Sequence, residues 1–458
     1  MKTIKSKLLI AIGLLLFFTI LISTGAKSTF WNTIAIGGLM IYFWVFEVIP
    51  IYVTALIPLV LAVPLGILDK SELASAYGDS NVYLFFGGFI LALGLEKWKV
   101  HEQVARAIIH FVGDSKPRIL FGFLMSTGLI SMWISNTATA LMMLPMAMAI
   151  IHALPEKEHK SKFALFLLLS VAYASSIGGV GTLIGSPPNT QMASILENTY
   201  HVRVDFFTWM KIGMPISILM LLATFGFFYF SMGKERKEKH AAFVIHKTPW
   251  SKDQIIVSCI FLLVVFLWSF KDLITPLLGF SYRDENVALF GGLLLFVIPS
   301  FEQKKPLLIW KDTEKLPWGI LVLFGGGLAL AAMLEKNGVM LELSKLMVNL
   351  SSYSYLTIIA ALIVLAVFAS EVLSNLAMVS IFVPIVANFA IQLGVPIQNF
   401  AIPLTLGASL AFMLPVGTPP NAIVFSSGFL HVKHMVKYGF VLNCIAIGLI
   451  FLAALFLL

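Results

Sequence analysis

Apolar segments of about the length of a membrane-spanning helix recur along the whole chain. Runs of about twenty apolar residues are typical of helices that cross a bilayer rather than of the strands of a membrane barrel. The pattern therefore predicts an all-α polytopic membrane protein with about 11 transmembrane helices. We place these spans near residues 8–24, 31–46, 49–66, 83–96, 164–197, 211–231, 254–270, 286–300, 317–334, 400–431 and 438–458.

Two further segments, 119–152 and 354–390, are each too long for one helix and are interrupted by a Ser-Asn pair. The first pair lies in "WISNTATALMMLP" (Trp133 to Pro145), and the second lies in "VLSNLAMVSIFVP" (Val372 to Pro384). Hydrogen-bonding side chains in hydrocarbon cost free energy unless other groups satisfy them. We therefore interpret each segment as a re-entrant hairpin, with the Ser-Asn pair at its tip.

The composition agrees with this pattern, because 59% of the 458 residues are hydrophobic, only 12% are charged, and the mean hydropathy is +0.94. Soluble domains carry about a quarter charged residues, so the composition indicates an integral membrane protein. The basic and apolar start of the chain resembles a signal peptide. Its apolar core is long enough to span, and we interpret it as a retained first helix.

Lys and Arg residues are distributed unequally between the two sides that this arrangement creates. With the N-terminus in the cytoplasm and both hairpins re-entrant, 23 of the 31 Lys and Arg residues face the cytoplasm and 8 face outside. Counting either hairpin as a single crossing would destroy this asymmetry, so the positive-inside rule favours eleven spans and two hairpins, with the C-terminus outside. The basic stretches are then cytoplasmic faces, and no nucleic-acid partner is expected.

Three markers recur in the same order in the two halves of the chain. "LFFGGFILALGLEK" is repeated as "VLFGGGLALAAMLEK", the Ser-Asn pairs lie 239 residues apart, and "GSPPN" is repeated as "GTPPN". Because an odd number of crossings separates the copies, the two halves are inverted in the membrane. Inverted repeats with broken helices near the middle of the bilayer are typical of secondary transporters.

The polar motifs indicate sites for an anion and for cations. A helix that starts at a hairpin tip presents free N–H groups and the positive end of its dipole, which attract a carboxylate or another anion. "SSIGGVGTLIGSPPN" and "LPVGTPPN" contain Gly and Pro that must break their spans, and the freed carbonyl oxygens are candidate ligands for a monovalent cation such as Na⁺. No Lys or Arg occurs in the hairpin cores or in the spans 164–197 and 400–431, so a bound anion would need helix ends and co-bound cations.

One carboxylate, Glu371, lies four residues before Asn375. An ionisable residue inside the membrane is a functional hypothesis, and the alternative is a glutamate held by backbone donors at the tip. The histidines show no metal-ligand spacing, and no acid–base cluster occurs in the spans, so a membrane-embedded enzyme is the distant alternative.

The paired Ser-Asn-Thr and Pro-Pro-Asn elements resemble those of the divalent anion/Na⁺ symporter family, which includes bacterial dicarboxylate transporters and the sodium-dicarboxylate and citrate carriers. The resemblance covers essentially the whole chain. It implies a homodimer in the cytoplasmic (inner) membrane that works by an elevator mechanism and couples Na⁺ to uptake of a C4 dicarboxylate such as succinate, malate or fumarate. It also implies a scaffold part formed by residues 1–118 and 232–353, and a transport part formed by residues 119–231 and 354–458.

The resemblance also implies roles for individual residues. Expected substrate contacts are Ser135, Asn136, Thr137, Ser186, Pro187, Ser374, Asn375, Thr418 and Pro419. One Na⁺ is expected at Ser131, Ser135, Asn136 and Gly185, and a second at Ser370, Asn375 and Gly417, so that two or more Na⁺ ions are co-transported. Supporting roles are expected for Asn189 and Asn421, which would brace the breaks, and for Glu371.

The chain departs from the duplicated motif at one position, where Leu376 replaces the expected Thr. A missing hydroxyl removes a hydrogen bond worth about 0.5–1.5 kcal/mol net, which would loosen recognition of the second carboxylate or favour an anion of another size or shape. The substitution would be harmless if backbone N–H groups make the contact. The alternatives to Na⁺-coupled dicarboxylate symport are a dicarboxylate exchanger and a Na⁺-coupled carrier of a tricarboxylate or of an inorganic dianion such as sulfate.

Overall fold

The computed structural model describes residues 2–112, 115–155, 158–159, 161–237, 249–340, 342 and 354–456. The secondary structure of these residues is almost entirely helical, as the apolar pattern predicts. Eight of the described helices are long and apolar enough to cross a membrane by length and composition. Other predicted spans are shorter or broken helices, and the two hairpins are each a pair of helices.

The first quarter of the chain forms a series of helices, several of them short. The span predicted at 49–66 is divided, and it continues as two short helices. The second of these helices has Pro58 in its first turn, and a proline there cannot donate a backbone hydrogen bond to the preceding turn. The helices are α1 (Lys2–Thr24), α2 (Thr29–Val45), α3 (Ile51–Thr54), α4 (Ile57–Leu61), α5 (Lys70–Tyr77), α6 (Ser80–Lys97) and α7 (Val100–Val112).

The next segment, residues 116–231, contains the first hairpin, the first broken span and one long helix. Nearly every residue of the helix that enters the break is buried, so this broken span is surrounded by other helices. The first hairpin consists of α8 (Lys116–Ser131) and α9 (Asn136–His152), the first broken span of α10 (Lys162–Gly179) and α11 (Pro187–Tyr200), and the long helix is α12 (Phe206–Ser231).

The second half of the chain repeats this order. The repeat-related Phe85 and Phe324 meet with ring centroids 4.8 Å apart, which joins the two copies of the Phe-Gly-Gly element. The first helices of this half are α13 (Lys252–Ser269), α14 (Lys271–Leu278), α15 (Asp284–Val297) and α16 (Trp318–Lys336). The second hairpin consists of α17 (Tyr355–Ala369) and α18 (Asn375–Leu393), the second broken span of α19 (Gln398–Ser409) and α20 (Pro419–Phe425), and the last helix is α21 (Val432–Phe456).

Candidate functional site

A cavity of about 640 Å³ lies where the two hairpin tips meet the two breaks. This volume is in the range of small-molecule binding sites. The structure brings together in its wall all nine residues that the sequence assigns to substrate, although they come from four separate segments. They are Ser135, Asn136, Thr137, Ser186, Pro187, Ser374, Asn375, Thr418 and Pro419.

The first hairpin turns between Ser131, where α8 ends, and Asn136, where α9 begins. The Ser135 hydroxyl caps α9 and accepts a hydrogen bond from the Ala138 N–H at 3.3 Å. Backbone N–H groups in the first turn of a helix lack intrahelical acceptors, and the helix dipole is positive at this end. The tip therefore presents hydrogen-bond donors and partial positive charge beside the Thr137 side chain in the cavity wall.

The first break separates Gly179, at the end of α10, from Pro187, at the start of α11. The Asn189 side-chain amide spans it and donates to the Gly179 carbonyl at 2.9 Å and to the Thr182 carbonyl at 2.8 Å. The Thr182 hydroxyl donates to the Met132 carbonyl on the hairpin tip. The break is thus fixed both internally and against the tip.

Oxygen atoms converge on the Asn136 side chain between the tip and the break. With its nitrogen turned inward, the Asn136 amide donates to the Ser175 carbonyl at 3.0 Å, the Ser131 hydroxyl at 2.9 Å and the Gly185 carbonyl at 3.2 Å. The Ser131 hydroxyl in turn donates to the Ser175 carbonyl at 2.6 Å. A Cβ on Gly179 would lie only 2.2 Å from the Asn136 side chain, so only glycine allows this approach. Neutral oxygens of this kind suit a hard monovalent cation.

The Ser370 and Asn375 side chains of the second hairpin tip are held less tightly than Ser131 and Asn136 of the first tip. The second tip turns between Ala369, where α17 ends, and Asn375, where α18 begins. The Ser370 hydroxyl donates to the Val367 carbonyl in its own helix at 2.9 Å and reaches the Gly407 carbonyl only at 3.5 Å. The Asn375 side-chain oxygen is buried without a hydrogen-bond partner among the described residues.

The second break is braced by an amide and a carboxylate. The Asn421 amide donates to the Ala411 carbonyl at 3.1 Å and to the Leu414 carbonyl at 3.0 Å. Glu371 is 3% exposed, and its carboxylate accepts hydrogen bonds from the backbone N–H groups of residues 412, 413 and 414 at 2.8, 2.8 and 2.9 Å. It also accepts one from the Asn443 amide at 2.7 Å. The geometry of Glu371 is thus that of a glutamate held by backbone donors.

The residues that the sequence assigns to Na⁺ divide into two groups. Gly417 lines the cavity with the tip residues, whereas Ser131, Gly185 and Ser370 lie outside its lining. Sequence reasoning missed two partners of these residues, Ser175 and Thr182, and one partner of Glu371, which is Asn443. Ser175 and Thr182 lie inside the glycine-rich stretch quoted above and could have been predicted from it. No neighbouring motif indicates Asn443, which is 72 residues away from Glu371.

The cavity has a charged mouth, which the sequence analysis did not foresee. Glu47, Glu96 and Lys315 supply its charged lining, and Tyr52 and Pro317 lie between them. These residues occupy the loops and helix ends that the positive-inside rule assigns to the cytoplasm. The cavity therefore opens toward the side of the basic loops.

Comparison with known proteins gives strong matches over nearly the whole chain. The model of the sodium:sulfate symporter transmembrane region matches residues 1–457. The sodium-dependent dicarboxylate transporter SdcS of Staphylococcus saprophyticus is 36% identical over 433 residues, which cover 90% of this chain and 83% of that protein. SdcS of Staphylococcus aureus (strain USA300) is 34% identical over 463 residues, which cover 96% of this chain and 89% of that protein.

Among solved structures, the crystal structure of the Alcanivorax borkumensis YdaH transporter is similar to this fold with a TM-score of 0.57. The alignment covers 92% of this chain and 98% of that one, at 12% sequence identity. At this identity the similarity concerns the fold alone.

Proposed function

The chain belongs to the sodium:sulfate symporter family, and from this premise we propose that it is a secondary active transporter that couples Na⁺ to uptake of C4 dicarboxylates such as succinate, malate and fumarate. The observation that carries the proposal is the meeting of two helix-start tips and two broken spans in one cavity. The names of the similar staphylococcal transporters agree with a dicarboxylate substrate and with Na⁺.

The proposed substrate site has two ends that match two carboxylates. Ser135, Asn136 and Thr137 meet one carboxylate at the start of α9, and Ser374 and Asn375 meet the other at the start of α18. Helix N-termini bind anions through free N–H groups and the dipole. Ser186, Pro187, Thr418 and Pro419 would line the space between the two ends.

Because no Lys or Arg lies among these motif residues, charge neutralisation is assigned to Na⁺. The first site consists of Ser131, Ser135, Asn136 and Gly185. These residues are grouped around the oxygens that accept hydrogen bonds from the Asn136 amide. Rotation of that amide would turn its own oxygen toward the same point and give a neutral oxygen cage. At the second site, Ser370, Asn375 and Gly417 supply the corresponding groups, and the buried Asn375 oxygen is a ready ligand.

We further propose that residues 1–118 and 232–353 form a scaffold that holds a homodimer in the inner membrane, with the N-terminus in the cytoplasm and the C-terminus outside. Residues 119–231 and 354–458 would carry the site across the bilayer as an elevator. The open mouth toward the basic loops corresponds to an inward-facing conformation in this scheme.

The test is succinate uptake into proteoliposomes that contain the purified protein, with an inward Na⁺ gradient compared with a K⁺ gradient. We expect uptake that requires Na⁺ and is competed by malate and fumarate. Uptake that needs internal dicarboxylate and is indifferent to Na⁺ would make the protein an exchanger. If succinate is not carried, sulfate and citrate uptake under the same gradient distinguishes the remaining alternatives.

A further inference from the structure

Polar contacts between the transport and scaffold parts cluster at the end of the structure that faces away from the basic loops. Glu197, near the end of α11, accepts hydrogen bonds from Arg283 and from the Asn81 amide, the latter at 3.3 Å. The next residue, Asn198, donates from its amide to the Asp79 carboxylate at 2.9 Å. Residues of α11 in the transport part are therefore bound to the starts of α6 and α15 in the scaffold part.

Two further contacts join the same parts at the same end. The backbone N–H of Phe206, at the start of α12, donates to the Asp284 carboxylate at 2.9 Å. The Asn388 amide in the second hairpin donates to the Glu335 carboxylate at the end of α16, at 3.2 Å. The positive-inside arrangement assigns these helix ends to the outer side of the membrane.

A transporter must expose its site first to one side of the membrane and then to the other. The exposed residues Glu47 and Lys315 line the cavity on the side of the basic loops. The polar contacts join the two parts at the opposite end, and their residues do not line the cavity. They must separate before the cavity can open there.

We propose that Glu197 and Arg283, with Asn81, Asp79 and Asn198, form an outer latch that holds the inward-facing conformation and breaks once in each transport cycle. The proposal rests on the proposed transport function. The latch sets the balance between the two conformations and does not contact the substrate, because none of its five residues lines the cavity.

The exposure of the central ion pair suits a contact that must break repeatedly. The side chain of Arg283 is 46% exposed and that of Glu197 is 25% exposed. Solvent screens such a pair, so a single substitution would shift the conformational equilibrium by only about two- to fivefold. A fully buried pair would resist opening far more strongly.

Ser194 gives a position at which opening can be measured. It lies on the same face of α11 as Gln191 and Asn198, at helical spacings of three and four residues, and it is fully buried. That face meets the scaffold, because a Cβ on Gly327 would lie 2.3 Å from the Gln191 amide. A cysteine at position 194 is therefore covered while the latch is closed.

The first experiment measures labelling of Ser194→Cys by a membrane-impermeant maleimide in proteoliposomes, with the exposed Cys259 and Cys444 replaced by serine. Glu197→Gln and Arg283→Gln are each expected to raise the labelling rate from the outer side by about two- to fivefold. The double variant should raise the labelling rate by less than the product of the two single effects, since both substitutions remove the same ion pair.

The matched control is the Glu72–Lys336 ion pair, which has the same chemistry and the same membrane side but lies within the scaffold part, with 2.5 Å between its charged atoms. Glu72→Gln should leave labelling unchanged. Equal labelling in all variants would show that the latch does not control opening, and no labelling of Ser194→Cys in any of them would show that this seam does not open. Either result would overturn the proposal. The readout needs no substrate, so it stands even if dicarboxylate transport fails.

The second experiment closes the latch covalently with Asp79→Cys and Asn198→Cys. Cross-linking is expected to lower Na⁺-driven succinate uptake at least tenfold, and reduction should restore it. A cross-link between Glu72→Cys and Lys336→Cys should leave uptake intact. Normal uptake by the cross-linked Asp79→Cys, Asn198→Cys protein would contradict an obligatory opening of the latch.

Discussion

The two broken spans are held by the same pair of asparagine hydrogen bonds but differ in the other groups that contact them. In the first break, Asn189 donates to carbonyls ten and seven residues earlier in the chain, and in the second break Asn421 donates to carbonyls at the same two spacings. The inverted repeat thus reproduces not only the broken helix but the hydrogen bonds that keep it broken. A break needs such bonds because its freed carbonyls cannot remain unpaired inside a membrane protein.

The groups beneath the two tips are not equivalent. In the first half, the Met132 carbonyl accepts a hydrogen bond from Thr182. At the position 239 residues later the chain has Glu371, whose carboxylate accepts three backbone N–H groups of the second break. The first break is therefore fixed through neutral hydrogen bonds, and the second break is fixed around a buried carboxylate.

The oxygens next to the two tips also differ. Ser131 approaches the Ser175 carbonyl to 2.6 Å, whereas Ser370 lies 3.5 Å from the Gly407 carbonyl. The Asn136 amide has hydrogen-bond partners, and the Asn375 oxygen has none among the described residues. One duplicated backbone therefore places two chemically different sets of polar groups beside the same cavity.

The largest expected effect comes from removing either asparagine at a tip. Asn136→Ala and Asn375→Ala should each lower Na⁺-driven uptake by about 100-fold or more, because in the proposed site each amide serves substrate and cation together and about 1 kcal/mol is lost per hydrogen bond. Uptake in proteoliposomes measures this, with size-exclusion chromatography to verify that assembly is unchanged.

The matched control is Asn337→Ala, whose side chain lies at the end of α16 and outside the cavity lining. That variant should transport normally. Normal uptake by both tip variants would show that the assigned site is wrong, and loss in only one of them would show that the two halves contribute unequally.

The next effect tests the buried carboxylate of the second half. Glu371→Met gives the second tip the residue type of the first, and it leaves three N–H groups and the Asn443 amide without their acceptor. Each buried donor left unsatisfied costs about 1–3 kcal/mol, so we expect a marked fall in thermal stability. Glu371→Gln keeps one acceptor oxygen and should lie between the parent and Glu371→Met. Parental stability of Glu371→Met would mean that the break does not depend on the carboxylate.

The sequence predicts the helices of this fold well, because their signals are local. Both Ser-Asn pairs and the proline pairs of both Pro-Pro-Asn elements occur in the cavity wall, and their duplication made that meeting predictable. The division of the span at 49–66 was also marked by a local residue, Pro58, but the apolar pattern outweighed it.

The parts that could not be predicted involve partners far apart in the chain. Nothing near Glu371 identifies Asn443 as its partner, and nothing near Glu197 identifies Arg283. Such pairs arise when helices pack, so neither periodicity nor a motif contains them. The charged mouth of the cavity could not be predicted for the same reason, because Glu47 and Lys315 line one cavity only after distant helices pack together.

A smaller and symmetric effect is expected at the two bracing amides. Asn189→Ala and Asn421→Ala each remove two hydrogen bonds to buried carbonyls, so each should lower stability by about 1–3 kcal/mol. Thermal unfolding of the purified variants measures the difference. Equal losses of stability would show that the two asparagines brace their breaks alike. A much smaller loss for Asn421→Ala would mean that Glu371 alone can hold the second break.

The smallest expected effect concerns the third position of each tip motif, where Thr137 and Leu376 both line the cavity. Leu376 is 6% exposed, so much of its side chain is turned away from the open space. Leu376→Thr restores a hydroxyl that contributes about 0.5–1.5 kcal/mol, which corresponds to a change of about two- to tenfold in the relative affinity for competing anions. Competition of succinate uptake by malate, citrate and sulfate measures that change, and the reciprocal Thr137→Leu should shift the profile in the opposite sense. If Leu376→Thr leaves the competition profile unchanged while Thr137→Leu alters it, the second carboxylate is held by backbone N–H groups, and the asymmetry of the two tips does not extend to substrate selection.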